Sequence, residues 1–368
     1  MDQDELAAWL RLLETPGVGR ESARKLLAAF GSPQSVFSAP TGAQREVAGA
    51  GVASALASLP ETLVELIEAT TRWLQEGSEP SPRHVVPLGD PRYPAALLET
   101  ADPPLLIYGQ GDIGLLQAPS LAVVGSRNPT PQGTESARAF SSQLSHAGLT
   151  VVSGMAMGID GAAHQGGLLG PGRTLAVVGT GLDRVYPRRH LELAHQIATQ
   201  GLIVSEYSLG TPPLPQNFPQ RNRVIAGLSK GTLVIEAALQ SGSLITARLA
   251  VEAGRDVFAV PGSIHSPQSR GCHVLIKQGA KLVDSAQDIL EELNLAHHGH
   301  PMTEPATASD ESPDPLLDAL GFGPVTLDAL VARTGWPASE LNARLLDLEL
   351  TGQVARLPGQ LFQRVVIG

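Results

Sequence analysis

An α/β architecture is what the middle of this 368-residue chain predicts: an extended Rossmann-like, doubly wound parallel sheet, flanked by a helical front unit and a small winged-helix unit. Three observations carry that expectation. Between residues 85 and 295, short apolar runs rich in Val, Ile and Leu alternate with helical segments, as buried parallel strands require. Most of these runs end in glycine or a small polar residue that leads into a helix, the pattern of a strand feeding a crossover. The texture then changes on both sides, with helical apolar spacing before the block and a polar, proline-bearing stretch after it.

In the front unit, Leu6, Trp9, Leu10 and Leu13 recur at helical spacing, as do Leu63, Leu66, Ile67 and Leu74. Between them, Thr15, Pro16, Gly17, Val18 and Gly19 followed by Ala23, Leu26 and Leu27 resemble a helix-hairpin-helix (SAM-like) unit. Such a turn can offer backbone N–H groups to a phosphate, but in an acidic segment packing is the expected role. Residues 76–82 read as a linker. The candidate strands are residues 121–125, 150–154, 175–179, 202–205, 232–236 and 257–261. Ligands of such sheets sit at the carboxyl ends of the strands, where nearly every unusual residue of this chain falls.

Residues 297–313 are expected to be a flexible tether, whose His297, His298 and His300 could catch a metal ion only adventitiously. After it come a helix with Leu316, Leu317 and Leu320, a second over residues 326–333, a third over residues 338–349, and a two-stranded end. Three helices and a wing read as a winged helix. Its third helix carries Glu340, Asp347 and Glu349 against Arg344, a poor complement to a phosphate backbone, so a partner-protein or self contact is expected there. The resulting division is residues 1–80 helical, 81–296 Rossmann-like, 297–313 linker and 314–368 winged helix.

Composition narrows the class further. No apolar run approaches the roughly 18 residues that span a bilayer, and the acidic start lacks the basic, apolar pattern of a secretion signal, so a cytoplasmic protein with no membrane partner is expected. Cys272, the single cysteine, has no intrachain partner, and no Cys/His spacing resembles a zinc site. The net charge of −10 is unevenly placed. Lys plus Arg against Asp plus Glu runs 6 to 11 for residues 1–80, 16 to 16 for residues 81–296 and 4 to 9 for residues 297–368. Within residues 173–230 there are seven basic residues against Asp183, Glu192 and Glu206, so a local basic surface is possible; a solvated face with scattered charges fits the counts equally.

Three strand ends carry the phosphate-binding equipment. Gly125, Ser126 and Arg127 end the first strong strand and open a helix, where backbone N–H groups, the helix dipole, a hydroxyl and a forked guanidinium can meet an anion. Ser153 and Gly154 repeat the arrangement, with glycine allowing close backbone approach, and Ser241, Gly242 and Ser243 give a third instance with a serine cap. Each alone is a common turn; three on one sheet point to a phosphate-lined edge. Phe218 precedes Pro219, Arg221 and Arg223 outside any strand, in a chain with fourteen aromatics. An exposed ring stacks on a base while arginines neutralise the backbone; the competing role is a plug between loop and sheet. Asn222 is expected to tie this segment together.

Enzyme signatures are weak. Gly125 begins no G-x-G-x-x-G, Gly179 and Gly181 are followed by Arg184 where a third glycine would stand, and no Walker A sequence occurs, so no nucleotide cofactor is expected. His164 is expected to make a structural hydrogen bond and Asp160 to cap its helix.

Taken together, Gly125-Ser126-Arg127, Ser153-Gly154 through Asp160 with His164, Phe218 through Ser229, Ser241 through Ala247 and Gly254 through Gly262 resemble the DNA-processing protein A (DprA/Smf) family, in the family's order. The resemblance implies homodimers that bind single-stranded DNA without sequence preference. It implies also delivery of the strand to a RecA-type recombinase in natural transformation and recombination, in competent cells. It places Arg127, Phe218, Arg221, Arg223 and Lys230 in or near the strand-binding pocket. His273 stands where the family usually has asparagine.

Two other classes remain. The fold also resembles lysine-decarboxylase-like phosphoribohydrolases, nucleotide-processing enzymes with a Pro-Gly-Gly-x-Gly-Thr loop followed by glutamate; here Leu228, Ser229, Lys230, Gly231 and Thr232 precede Glu236, and the leading Pro-Gly-Gly is missing. A protein adaptor with acidic ends is the third, against which the intact 218–223 segment argues.

Overall fold

The computed structural model describes residues 1–295, 314–321 and 323–365. The expected tether and its three histidines therefore lie outside the described residues. Nine strands form the main sheet: β1 Arg83–Pro87, β2 Leu106–Gly111, β3 Ser120–Val124, β4 Thr150–Ser153, β5 Thr174–Val177, β6 Leu202–Ser205, β7 Gly231–Val234, β8 Asp256–Ala259 and β9 Lys281–Leu282. Their spatial order is β1-β2-β6-β5-β4-β3-β7-β8-β9. All six strands expected from the apolar runs are present, and every pairing among β3 to β9 is parallel.

The sheet departs from the expectation at its edge, where β1 and β2 pair antiparallel and β2 joins β6 antiparallel. Mixed sheets of this kind commonly carry an antiparallel edge on a parallel core. Alternate residues of the strands feed two cores. Ala122, Val124, Val152 and Val177 meet helices Asn217–Leu228 and Gly242–Glu252 on one face. Leu121, Val123 and Val151 meet helices Pro131–His146 and Ile159–Gly167 on the other. Burial on both faces is why these strands read as unbroken apolar runs rather than alternating ones.

From β3 the chain winds one way through β4, β5 and β6, then returns to the other side of β3 as β7 and continues to β8 and β9. The order therefore reverses between β3 and β7. A crevice opens outside the carboxyl ends of strands at such a switch point.

Six helices, from Gln3–Glu14 to Leu63–Gln75, form the front unit. Its Leu6, Trp9, Leu10 and Trp73 share one core with Val85, Leu106 and Tyr108 of β1 and β2. Residues 76–82 are therefore no slack connection: Ser78 and Ser81 form a bridge, and Arg83 Nη1 donates to the Trp73 carbonyl at 2.9 Å. At the other end, helices Pro315–Leu320, Leu327–Thr334 and Ala338–Leu350 pack on a small antiparallel sheet of β10 Val325–Thr326, β11 Val354–Leu357 and β12 Leu361–Arg364. This is the expected winged helix, with one more strand than the sequence indicated.

Candidate functional site

A cavity of about 460 Å³ lies at the switch point, lined by Val124 to Asn128 after β3, Ala156 and Asp160 after β4, Phe218, Pro219, Arg221 and Asn222 on the Asn217–Leu228 helix, and Ala238 and Gln240 to Ser243 after β7. The three strand ends singled out from the sequence thus meet at one place.

Their glycines serve different ends. A Cβ on Gly125 would stand 2.6 Å from the Ile159 side chain, and one on Gly154 would stand 2.7 Å from Arg221 Nη2. Both are glycine because the protein packs against them; for Gly154 this replaces the close approach to a phosphate that was expected. Gly242 has no such neighbour within 4 Å, so its bare backbone faces the cavity. Ser243 is held by Ser241, whose Oγ accepts from the Ser243 N–H at 3.3 Å, and donates its own Oγ to the Gly125 carbonyl at 2.7 Å, joining the β3 and β7 ends. Ser126 Oγ accepts from the Asn128 N–H at 3.1 Å and shapes the loop that presents Arg127.

Arg127 is exposed, and its guanidinium carbon stands 6.0 Å from the Phe218 ring centroid. Phe218 is half-buried over the backbone of Gly179, leaving part of the ring open to the cavity. Arg221 is buried. Its Nη1 donates to the carbonyls of Gly154 (2.6 Å) and Val177, and its Nε to Asn222 Oδ1 at 3.2 Å. Asn222 ties the segment together as expected. Burial pulls Arg221 down to about 10, which leaves it charged at neutral pH at the cavity floor. Asp160 lies beneath, accepting from the N–H groups of Gly154 and Ala156 at 3.1 Å each; burial pushes its carboxyl up, against the pull of Arg221. It holds the preceding loop rather than capping its own helix.

Three expected residues lie elsewhere. Arg223 follows Arg221 by two positions, and the segment is helical, which rotates it by about 200° to the far face. There it pairs with Glu206 and with Asp102 at 3.2 Å, and Arg20 and Arg24 of the front unit join the same carboxylates. Lys230 precedes β7, so it stands at the amino end of the strands beside Ser120, Glu99 and Arg255, across the sheet from the cavity. Ser153 is fully buried and spends its Oγ on the Val123 carbonyl at 2.7 Å, joining β4 to β3. A residue unnoticed in the sequence does join the site: the Tyr186 ring centroid is 5.5 Å from that of Phe218.

Catalytic equipment is not apparent among these groups. His164 is buried, with Nδ1 2.7 Å from Thr174 Oγ1, and burial pushes its imidazole down to about 3, so it stays neutral as a structural side chain. Glu236 accepts from the Thr130 N–H at 2.9 Å and from the Thr130 hydroxyl at 2.6 Å, which fixes it at the start of the Pro131–His146 helix rather than in the cavity. His273 Nε2 lies 3.0 Å from the Gly262 carbonyl, on the loop after β8. Among the described residues no helix is long and apolar enough to cross a membrane.

A doubly wound α/β protein with a cationic, aromatic-lined crevice at its switch point is the class that fold and site define. Residues 84–294 match the family described as DNA recombination-mediator protein A, and residues 300–360 match the DprA winged helix domain. The chain belongs to this DprA/Smf family. It is 44% identical to protein Smf of Escherichia coli over 303 residues, 80% of this chain and 79% of that one. It is 50% identical to DNA processing protein DprA of Streptococcus pneumoniae over 203 residues, 55% of this chain and 72% of that one. The X-ray structure of the latter protein superposes with a TM-score of 0.68 at 38% identity, covering 79% of this chain and 98% of that one. A structure of DNA processing protein A from Helicobacter pylori, solved to describe its single-stranded DNA binding mode, matches with a TM-score of 0.53 at 30% identity, covering 58% of this chain and 95% of that one.

Proposed function

We propose that this protein binds single-stranded DNA in the switch-point crevice without reading its sequence, and passes the strand to a RecA-type recombinase. The observation that supports this most is the exposed Arg127 guanidinium beside the half-open Phe218 ring, with the charged Arg221 beneath. A cation for phosphate next to a ring for any base is the equipment of sequence-tolerant strand binding. A duplex keeps its bases stacked inside and offers the ring nothing. The Helicobacter pylori relative, whose structure describes single-strand binding, supports the same reading.

The protein acts in the cytoplasm as a homodimeric, non-catalytic mediator of recombination and of natural transformation, with no cofactor. Nucleotide hydrolysis is not favoured, because the glutamate such chemistry would use is engaged by Thr130. The test is equilibrium binding of labelled oligonucleotides: single strands bind more tightly than equal-length duplexes, and salt weakens binding with a slope set by the phosphates neutralised. Recombinase filament assembly on strands precoated by a single-strand binding protein then tests loading. Equal affinity for duplex and single strand would overturn the proposal.

A further inference from the structure

We infer that a bound strand does not end at Phe218 but continues across Tyr186, a second base-stacking ring, toward the turn carrying Arg188 and Arg189; this rests on the single-strand reading of the crevice. Tyr186 lies in the loop after β5, with its ring 5.5 Å from Phe218 between centroids and tilted 36° to it. Phe218 in turn has the Arg127 guanidinium 6.0 Å from its ring. Phe218 thus has both the Arg127 guanidinium and the Tyr186 phenol beside it, and Tyr186 carries the ring surface beyond the crevice lining to the neighbouring hollow.

Tyr186 is 49% exposed, although several apolar side chains lie near enough to have covered it. Its hydroxyl has no hydrogen-bond partner among the described residues. A tyrosine kept for packing gains from burying its ring, and one kept for its hydroxyl bonds it. This one does neither fully, and its open face is oriented by the neighbouring ring. Beside it opens a hollow of about 280 Å³ whose walls include Met155, Val178, Val185 and Ile203 together with Asp183, Arg184 and His195, a mixed apolar and polar recess beside which a base can lie.

Charge follows the same direction. Arg188 and Arg189 are exposed on the turn Arg188–His190 that follows Tyr186. The turn is fixed to the sheet, since His190 Nδ1 lies 3.0 Å from the Met155 carbonyl. Arg184 is already engaged by Asp183 at 2.8 Å, so Arg188 and Arg189 are the pair left for phosphate. Stacking on each base is tolerant of sequence, which matches the mode proposed for Phe218.

The experiment is fluorescence anisotropy of oligothymidylates of graded length with the full chain as wild type, Tyr186→Ala, Tyr186→Phe and Phe218→Ala, coupled to photocrosslinking with 5-iodouracil strands and mass-spectrometric mapping. Tyr186→Ala is expected to weaken the longer strands about tenfold and to leave the shortest strand that wild type binds unchanged. Tyr186→Phe keeps wild-type affinity, and crosslinks map to Tyr186 in the wild type. Equal affinity of Tyr186→Ala and wild type at every length would overturn the inference while leaving the crevice intact as the binding site. An equal loss at every length would also overturn it, by making Tyr186 a prop for Phe218. If wild type binds no single strand while remaining folded, the crevice reading itself fails and this inference with it.

Discussion

Arg221 and Arg223 stand two residues apart on one helix, yet they belong to regions with opposite tasks. On the crevice side, Arg221 is buried under a cavity, bonded to carbonyl oxygens with the Asp160 carboxyl deeper, while Arg127 stands exposed above it without an ion-pair partner among the described residues. On the far side, Arg223 meets Glu206 and Asp102, whose other partners come from the front unit. There three arginines share two carboxylates, each guanidinium is paired, and the product is cohesion between two parts of the chain. The same side chain thus serves a ligand or the fold according to which face of the helix presents it.

That contrast can be broken most sharply at Arg223. Replacing it with alanine leaves Glu206, whose side chain is 6% exposed, short of its main counter-charge, and costs about 3 kcal/mol of stability in urea titrations. Single-strand affinity of the folded variant stays near that of wild type. The loss depends on pH. Burial raises Glu206 above the ordinary 4.5, with Arg223 the largest influence holding it down. A raised carboxyl binds a proton more readily in the folded state, so its contribution to stability declines as pH rises from about 4.5 through the folded value. Removing Arg223 raises that value further, so the gap between variant and wild type widens toward neutral pH and narrows toward acid.

Next in size is Phe218→Ala, which removes a stacking surface worth about 1 to 3 kcal/mol in single-strand binding, with urea stability reduced far less than by Arg223→Ala. Arg127→Ala follows. It lowers affinity for all single strands alike and flattens the plot of log affinity against log salt by about 0.7, the share of one neutralised phosphate. The smallest effect is at Lys230→Ala, across the sheet, where affinity and salt slope stay unchanged.

Much of this architecture was legible because burial on both faces writes parallel strands as apolar runs, and all six such runs became strands. Strands β1, β2 and β9 were missed: Arg83, His84, Gly109 and Gln110 interrupt the apolar pattern of the first two, and the last is only the pair Lys281–Leu282. Strand order is a long-range property, so the switch point that opens the crevice could not be read from local pattern. At the site, the strand-end turns were legible as turns, but the reason for two of their glycines was not, because Ile159 and Arg221 reach them only in the fold. The misplacement of Arg223 had a signal within reach. Reading residues 217–228 as a helix puts positions 221 and 223 on opposite faces, whereas reading a loop lets both point at one ligand. Tyr186 left a weaker signal, an aromatic followed by proline and two arginines.

The central claim is that the strand binds along the carboxyl ends of the parallel strands, at the β3–β7 switch point, and not at their amino ends. Salt-titrated anisotropy of a labelled oligothymidylate against wild type, Arg127→Ala and Lys230→Ala tests it most directly. The account predicts a salt slope that falls by about 0.7 in Arg127→Ala and is unchanged in Lys230→Ala. A slope that falls in Lys230→Ala and holds in Arg127→Ala would place the strand on the opposite edge and contradict it.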